Sequence, residues 1–129
     1  MSLGEYFENV EGIGILSTAD AGGNVDSAIY ARPHVVDEDT VAFIMGDHLS
    51  HNNIESNPHA AYLFLEQGQG EGAGGYNGLR LYLTKTGEET DPRKINAMRR
   101  KERKGEDLGG AKKFLVHFKV DEARRLVGD

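Results

Sequence analysis

Between Val41 and Leu65 the sequence VAFIMGDHLSHNNIESNPHAAYLFL sets Gly46, Asp47, His48, Ser50 and His51 between two apolar runs. Val41 to Met45 reads as a buried strand that Gly46 and Asp47 break. A short polar helix capped by Ser50 follows, then Asn57-Pro58 and the apolar run Ala60 to Leu65. The first N–H groups of a helix have no internal partner, and the helix dipole is positive there. Backbone donors and hydroxyls thus converge where an anion, phosphate above all, is attracted. An ordinary capped loop between two strands would carry the same pattern.

Other chemistry is harder to place. The histidines are His34, His48, His51, His59 and His117. Asp47, His48 and His51 lie close together, but their spacing matches none of the usual zinc patterns, so no metal site is expected. No serine sits in a nucleophile elbow, most acidic residues fall in turns or on helices, and there is no cysteine. Gly70, Gly72 and Gly75 satisfy G-x-G-x-x-G, yet a strand follows where a dinucleotide fold needs a helix. The stretch Gly68 to Gly78 reads instead as a flexible loop, with a mobile lid as the functional alternative. Arg93, Lys94, Arg99, Arg100, Lys101, Arg103 and Lys104 offer cations to a phosphate or polyanion. A solvated helix face is the simpler reading, because aromatics are not interleaved and the net charge is -6. That charge also argues against general nucleic-acid binding.

The elements that position the polar turn belong to one domain, residues 1–129, with 38% hydrophobic residues and no apolar run long enough to cross a bilayer. No basic region or apolar core of a secretory signal is visible in MSLGEYFENV, so a cytoplasmic location is expected. Leu3, Tyr6, Phe7 and Val10 recur at helical spacing. Ile13 to Ala19 and Val25 to Val36 read as a hairpin turning at Asp20 to Asn24, with Pro33 marking an edge or bulge. Leu79, Leu81 and Leu83 alternate as a half-buried strand. Asp91-Pro92 starts a helix running to about Lys104, with Ile95 and Met98 as its narrow apolar stripe. Phe114, Val116, Phe118 and Val120 form the last long strand. Short turns between alternating strands predict an all-β antiparallel meander or barrel with helices at its periphery.

The succession GILSTAD, SAIYARPHVVD, VAFIMGDHLSHNNIESNPHAAYLF and RLYLTKTGEE resembles the FMN-binding split-barrel family related to pyridoxamine 5'-phosphate oxidase. The resemblance covers roughly Gly12 to Glu89. Its most specific piece is the polar turn with Ser50, Asn53 and Asn57-Pro58. It implies a six-stranded antiparallel Greek-key split barrel that forms a homodimer and binds FMN between subunits. Arg32 would then supply charge to the flavin phosphate, while Ser50 and the N–H groups of His51 and its neighbours donate hydrogen bonds. Ser27, Ile29 and the backbone at Met45 and Gly46 would line the ribityl chain and ring. Many relatives place a lysine or arginine in this turn, where the present chain has His48, Ser50, His51 and Asn52. The phosphate would lose a full charge if the histidine is neutral. The implied function is a flavoprotein oxidoreductase passing hydride or electrons from a reduced nicotinamide or other donor to a small-molecule acceptor. The alternative is a non-catalytic module that binds or stores FMN or another anionic ligand such as haem. Residues that would hold a second, substrate phosphate are not identifiable, so pyridoxamine-phosphate oxidase activity is not assigned.

Overall fold

The computed structural model describes residues 2–67, 76–100 and 112–126. Helix α1 (Leu3–Asn9) opens with a capping box, in which the Ser2 hydroxyl accepts from the Glu5 N–H and the Glu5 carboxylate accepts from the Ser2 N–H. Its stripe of Leu3, Tyr6, Phe7 and Val10 packs on the core, with Phe7 fully buried. Strands β1 (Gly12–Ala19) and β2 (Val25–Ile29) form the expected hairpin. The Asp20 carboxylate accepts from the N–H groups of Gly22 and Asn24 in its turn, and Gly23 takes a positive φ of 86°.

The single returning strand expected over Val25 to Val36 is two strands. After β2 the chain leaves the sheet, passes Pro33, and begins β3 (His34–Asp37), which pairs with β4 (Thr40–Gly46) rather than with β1. Pro33 has no N–H for a ladder and so stands at the break. Helix α2 (Leu49–Ser56), β5 (His59–Glu66), β6 (Gly78–Glu89), α3 (Pro92–Met98) and β7 (Lys113–Arg125) follow. Seven strands therefore stand, among the described residues, where six were expected. All pairings are antiparallel, in the order β2-β1-β5-β6-β7-β4-β3.

This order forces closure. The two outermost strands are consecutive in the chain, and the connection from Ile29 to His34 spans at most roughly 18 Å. The edges of a flat seven-stranded sheet would stand about 29 Å apart. The sheet must curl until its edges meet, a barrel split at the β2–β3 crossover. Carbonyls of that crossover are held by side chains from elsewhere. The Tyr62 hydroxyl lies 3.0 Å from the Tyr30 carbonyl and 3.1 Å from that of Ala31. The Arg100 guanidinium donates to the carbonyls of Arg32 and Pro33, each at 3.1 Å. Burial pushes the Tyr62 phenol well above the usual tyrosine range, so it stays a donor.

Leu16, Phe43, Met45, Tyr62, Phe64, Leu81, Leu83, Val116 and Phe118 fill the interior. On the outside of β4 and β7, Ala42 and Leu115 are covered by Ile95 and Met98 of α3, the stripe their spacing indicates. That helix ends at Met98, with Arg99 extended as its C-cap, and does not reach Lys104. Nor is the basic run one solvated face, since Arg99 is buried and Arg100 ties down the crossover. The remaining basic positions, Lys101, Arg103 and Lys104, and most of the Gly68 to Gly78 loop lie outside the described residues. Among the described residues no helix is long and apolar enough to cross a membrane.

Gly14 carries a prediction. A Cβ there would overlap the Tyr62 hydroxyl and stand 2.6 Å from the Tyr30 carbonyl oxygen. Gly14→Ala is expected to destabilise the fold by about 1–3 kcal/mol through forced displacement of Tyr62. A denaturant midpoint equal to wild type would show that the crossover is not so tightly packed.

Candidate functional site

Helix α2 is anchored so that its N-terminus lies beside β2. The Asn53 amide donates to the Thr18 hydroxyl at 3.0 Å, with both groups buried, and the Ser56 hydroxyl accepts from the Ala21 N–H at 3.2 Å. At the other end the buried Ser50 lies near Tyr30, immediately after β2. Burial is the main cause that raises the Tyr30 phenol above its ordinary value, and Ser50 partly opposes it.

The expected cap is corrected by this geometry. His48 is the N-cap, in extended conformation and with no side-chain capping bond, while Ser50 is already the second helical residue. The chain turns into the helix directly after Asp47, which leaves the Ser50 side chain buried. The first bond of the helix runs from the Asn52 N–H to the His48 carbonyl at 3.0 Å. The N–H groups of Leu49, Ser50 and His51 thus precede the ladder and point out of the helix end. At Gly46 a Cβ would stand 2.8 Å from the His48 ring and 3.7 Å from the Lys113 ammonium, so both cationic or ionisable groups flank this glycine. Lys113 reaches the turn because β7 pairs it with Gly46. Its one local signal is a lysine pair, Lys112-Lys113, opening the last apolar alternation.

The sequence-predicted residues are distributed unevenly about this turn. Gly46, His48, Ser50 and the His51 backbone come together at it. Met45 is fully buried and has only its backbone to offer. Ile29 is 78% exposed on β2, and the Ser27 hydroxyl lies 3.0 Å from that of Ser17 on the same outer face. Arg32 departs from the expectation. Its guanidinium donates to the carbonyls of Phe7 at 2.8 Å and Val10 at 3.1 Å, so its charge is placed at the C-terminal end of α1. The ring of His51 also turns inward, stacked on Phe114 with centroids 3.7 Å apart and Nε2 3.0 Å from the Glu88 carboxylate.

A closed antiparallel sheet split at one crossover, with a helix N-terminus beside the split, defines a split barrel of the pyridoxamine 5'-phosphate oxidase-like type. Solved structures share it. An FMN-binding protein from Syntrophomonas wolfei subsp. wolfei superposes with a TM-score of 0.74 at 16% identity, over 99% of this chain and 86% of its own. A putative pyridoxamine 5'-phosphate oxidase from Lactobacillus delbrueckii gives 0.64 at 17% identity, over 93% and 88%. HutZ, the heme storage protein from Vibrio cholerae, gives 0.67 at 17% identity, over 98% and 94%. At these identities the likeness is one of fold. No protein-family model matches the chain, and no curated protein matches it in sequence.

Proposed function

We propose that the chain is a cytoplasmic FMN-binding flavoprotein. The flavin phosphate lies against the N–H groups of Leu49, Ser50 and His51, and the ribityl chain and ring run along Ser27, Ile29 and the backbone at Met45 and Gly46. One observation carries this reading: an unladdered helix N-terminus beside Gly46, flanked by His48 and Lys113. Lys113 supplies the full positive charge that the turn itself lacks, and that Arg32, engaged at α1, directs elsewhere. When bound, FMN supplies hydride and electron transfer, and we assign the protein to the oxidoreductases acting between a reduced donor and a small acceptor. The protein acts as a homodimer with the cofactor between subunits, in keeping with the apolar outer face around Ile29. A storage module for FMN or haem is the competing reading, favoured by the shared fold of the heme storage protein.

The test is retention of FMN by purified protein after removal of free flavin, read from the visible spectrum. Ser50→Ala, which removes the hydroxyl but leaves the backbone donors, is expected to cost about 1 kcal/mol, or roughly fivefold in affinity. Wild-type protein that releases all flavin at neutral pH would leave the fold without this ligand. Turnover of a reduced nicotinamide that depends on bound FMN separates the oxidoreductase from the storage module.

A further inference from the structure

The inward-facing ring of His51 presents a second arrangement, independent of the flavin reading. His51 is 2% exposed and stands between two carboxylates, with Nε2 3.0 Å from Glu88 Oε1 and Nδ1 3.6 Å from Glu55 Oε1. One ligating atom from each of the three residues lies within 4.8 Å of the other two. Lys85 Nζ sits 2.9 Å from the same Glu88 oxygen. The Glu88 carboxylate, which also takes Lys85, is thus an acceptor placed for Nε2–H.

Nδ1 is sealed from solvent and has no hydrogen-bond partner among the described residues. What it faces is the Glu55 carboxylate, with Oε1 3.6 Å away, too long for a hydrogen bond. A buried, unpartnered ring nitrogen and a carboxylate oxygen at this separation leave room for a cation between them. Two ligands each about 2.0–2.1 Å from one zinc ion, at an angle of roughly 120°, would stand about 3.6 Å apart. His51 and Glu55 are four residues apart on α2 and so share one helix face.

We propose that His51 Nδ1 and the Glu55 carboxylate bind a divalent cation of the zinc class. Glu88 orients the imidazole through Nε2–H, and water completes the coordination shell. The donor set suits a borderline metal: an imidazole and a carboxylate as ligands, with a second carboxylate behind the histidine. Phe114, stacked on the ring, fixes the plane in which Nδ1 points. Glu55, half-exposed, leaves the cation an approach from solvent. The ligand partner and the orienting partner come from α2 and β6, which explains why spacing among Asp47, His48 and His51 revealed no such site.

Zinc alone is the probe, titrated into purified full-length protein against a chromophoric chelator, with the His51 ring nitrogens followed by NMR. One equivalent per chain is expected, with a Kd in the range of roughly tens of micromolar or tighter and a shift of Nδ1 rather than Nε2. Glu55→Gln should weaken binding about tenfold or more while leaving the thermal midpoint of the metal-free protein unchanged. Glu88→Gln should weaken it by about tenfold through loss of the orienting carboxylate. Because His51→Ala risks the packing on Phe114, the two glutamate variants carry the test. Absence of saturable binding up to about 1 mM zinc overturns the proposal, as does undiminished affinity in Glu55→Gln. So does a His51 ring protonated on both nitrogens at neutral pH with and without zinc, which would put a proton where we place the metal.

Discussion

Replacing Phe43 by alanine is expected to remove about 3–5 kcal/mol of stability, a large part of the roughly 5–15 kcal/mol typical of a whole domain. Phe43 is 2% exposed on β4 and meets three rings from different parts of the chain. It is edge-on to Tyr30 with centroids 5.9 Å apart, tilted against Tyr62 at 5.1 Å, and edge-on to Phe118 at 5.9 Å. One side chain thus joins the crossover to β5 and β7. Truncation opens a cavity at the point where the barrel closes, and the surrounding rings belong to paired strands that cannot simply collapse into it. Tyr30 lies near Ser50 at the start of α2, so flavin retention should fall together with stability. Urea unfolding measures the first effect and the visible spectrum the second. Phe43→Leu should recover most of the loss, because it restores volume without the ring. A loss below about 1 kcal/mol for Phe43→Ala would mean that closure rests on the crossover hydrogen bonds instead.

Ile29→Asp is expected to convert a dimer into monomers. On the outer face of the barrel Ile29 lies opposite Ile15, and Ile15 opposite Leu63, so three strands present one apolar row, with Ile13 beside it. Ile29, Ile13 and Leu63 are 78%, 55% and 38% exposed, although fully burying such a side chain contributes about 1.5–3 kcal/mol. A second copy of the chain is the cover we propose. In a two-fold interface each substitution acts twice, and a charge placed in an apolar contact must be desolvated. A weakening of at least about a hundredfold in dimer affinity is expected, read by sedimentation at micromolar concentration. The monomer should unfold at an unchanged denaturant concentration, since Ile29 is exposed within it. Ile13→Asp, outside the flavin-lining residues, should dissociate the dimer equally and so separate assembly from cofactor contact. Wild-type protein that sediments as a monomer, or an Ile29→Asp variant that stays dimeric, would remove this face as the interface.

The sequence by itself determined the elements whose patterns are local. Unbroken apolar runs marked β4 and β5, a glycine-containing turn marked the hairpin arm β1, and alternation marked β6 and β7, because a strand buried on one face must repeat with period two. Helical spacing marked α1, and Asp91-Pro92 marked the start of α3, where the Asp91 carboxylate accepts from the Arg93 N–H. The polar turn after Met45 was legible as a place of unladdered N–H groups for the same local reason. Tertiary structure alone decided which partner each group met. Val25 to Val36 reads as one returning strand, yet β2 and β3 go to opposite edges of the sheet, since local sequence does not name the neighbouring strand. Arg32 was read as charge for a phosphate, but α1 folds back to the crossover and its last carbonyls take the guanidinium. Lys113 stands beside Gly46, and Glu88 beside His51, only because closing the barrel fixes the register of β7 and the path of β6. These pairings lie far apart in the chain. Their cause is the loop closure that the hydrophobic interior drives, which no window of neighbouring residues contains.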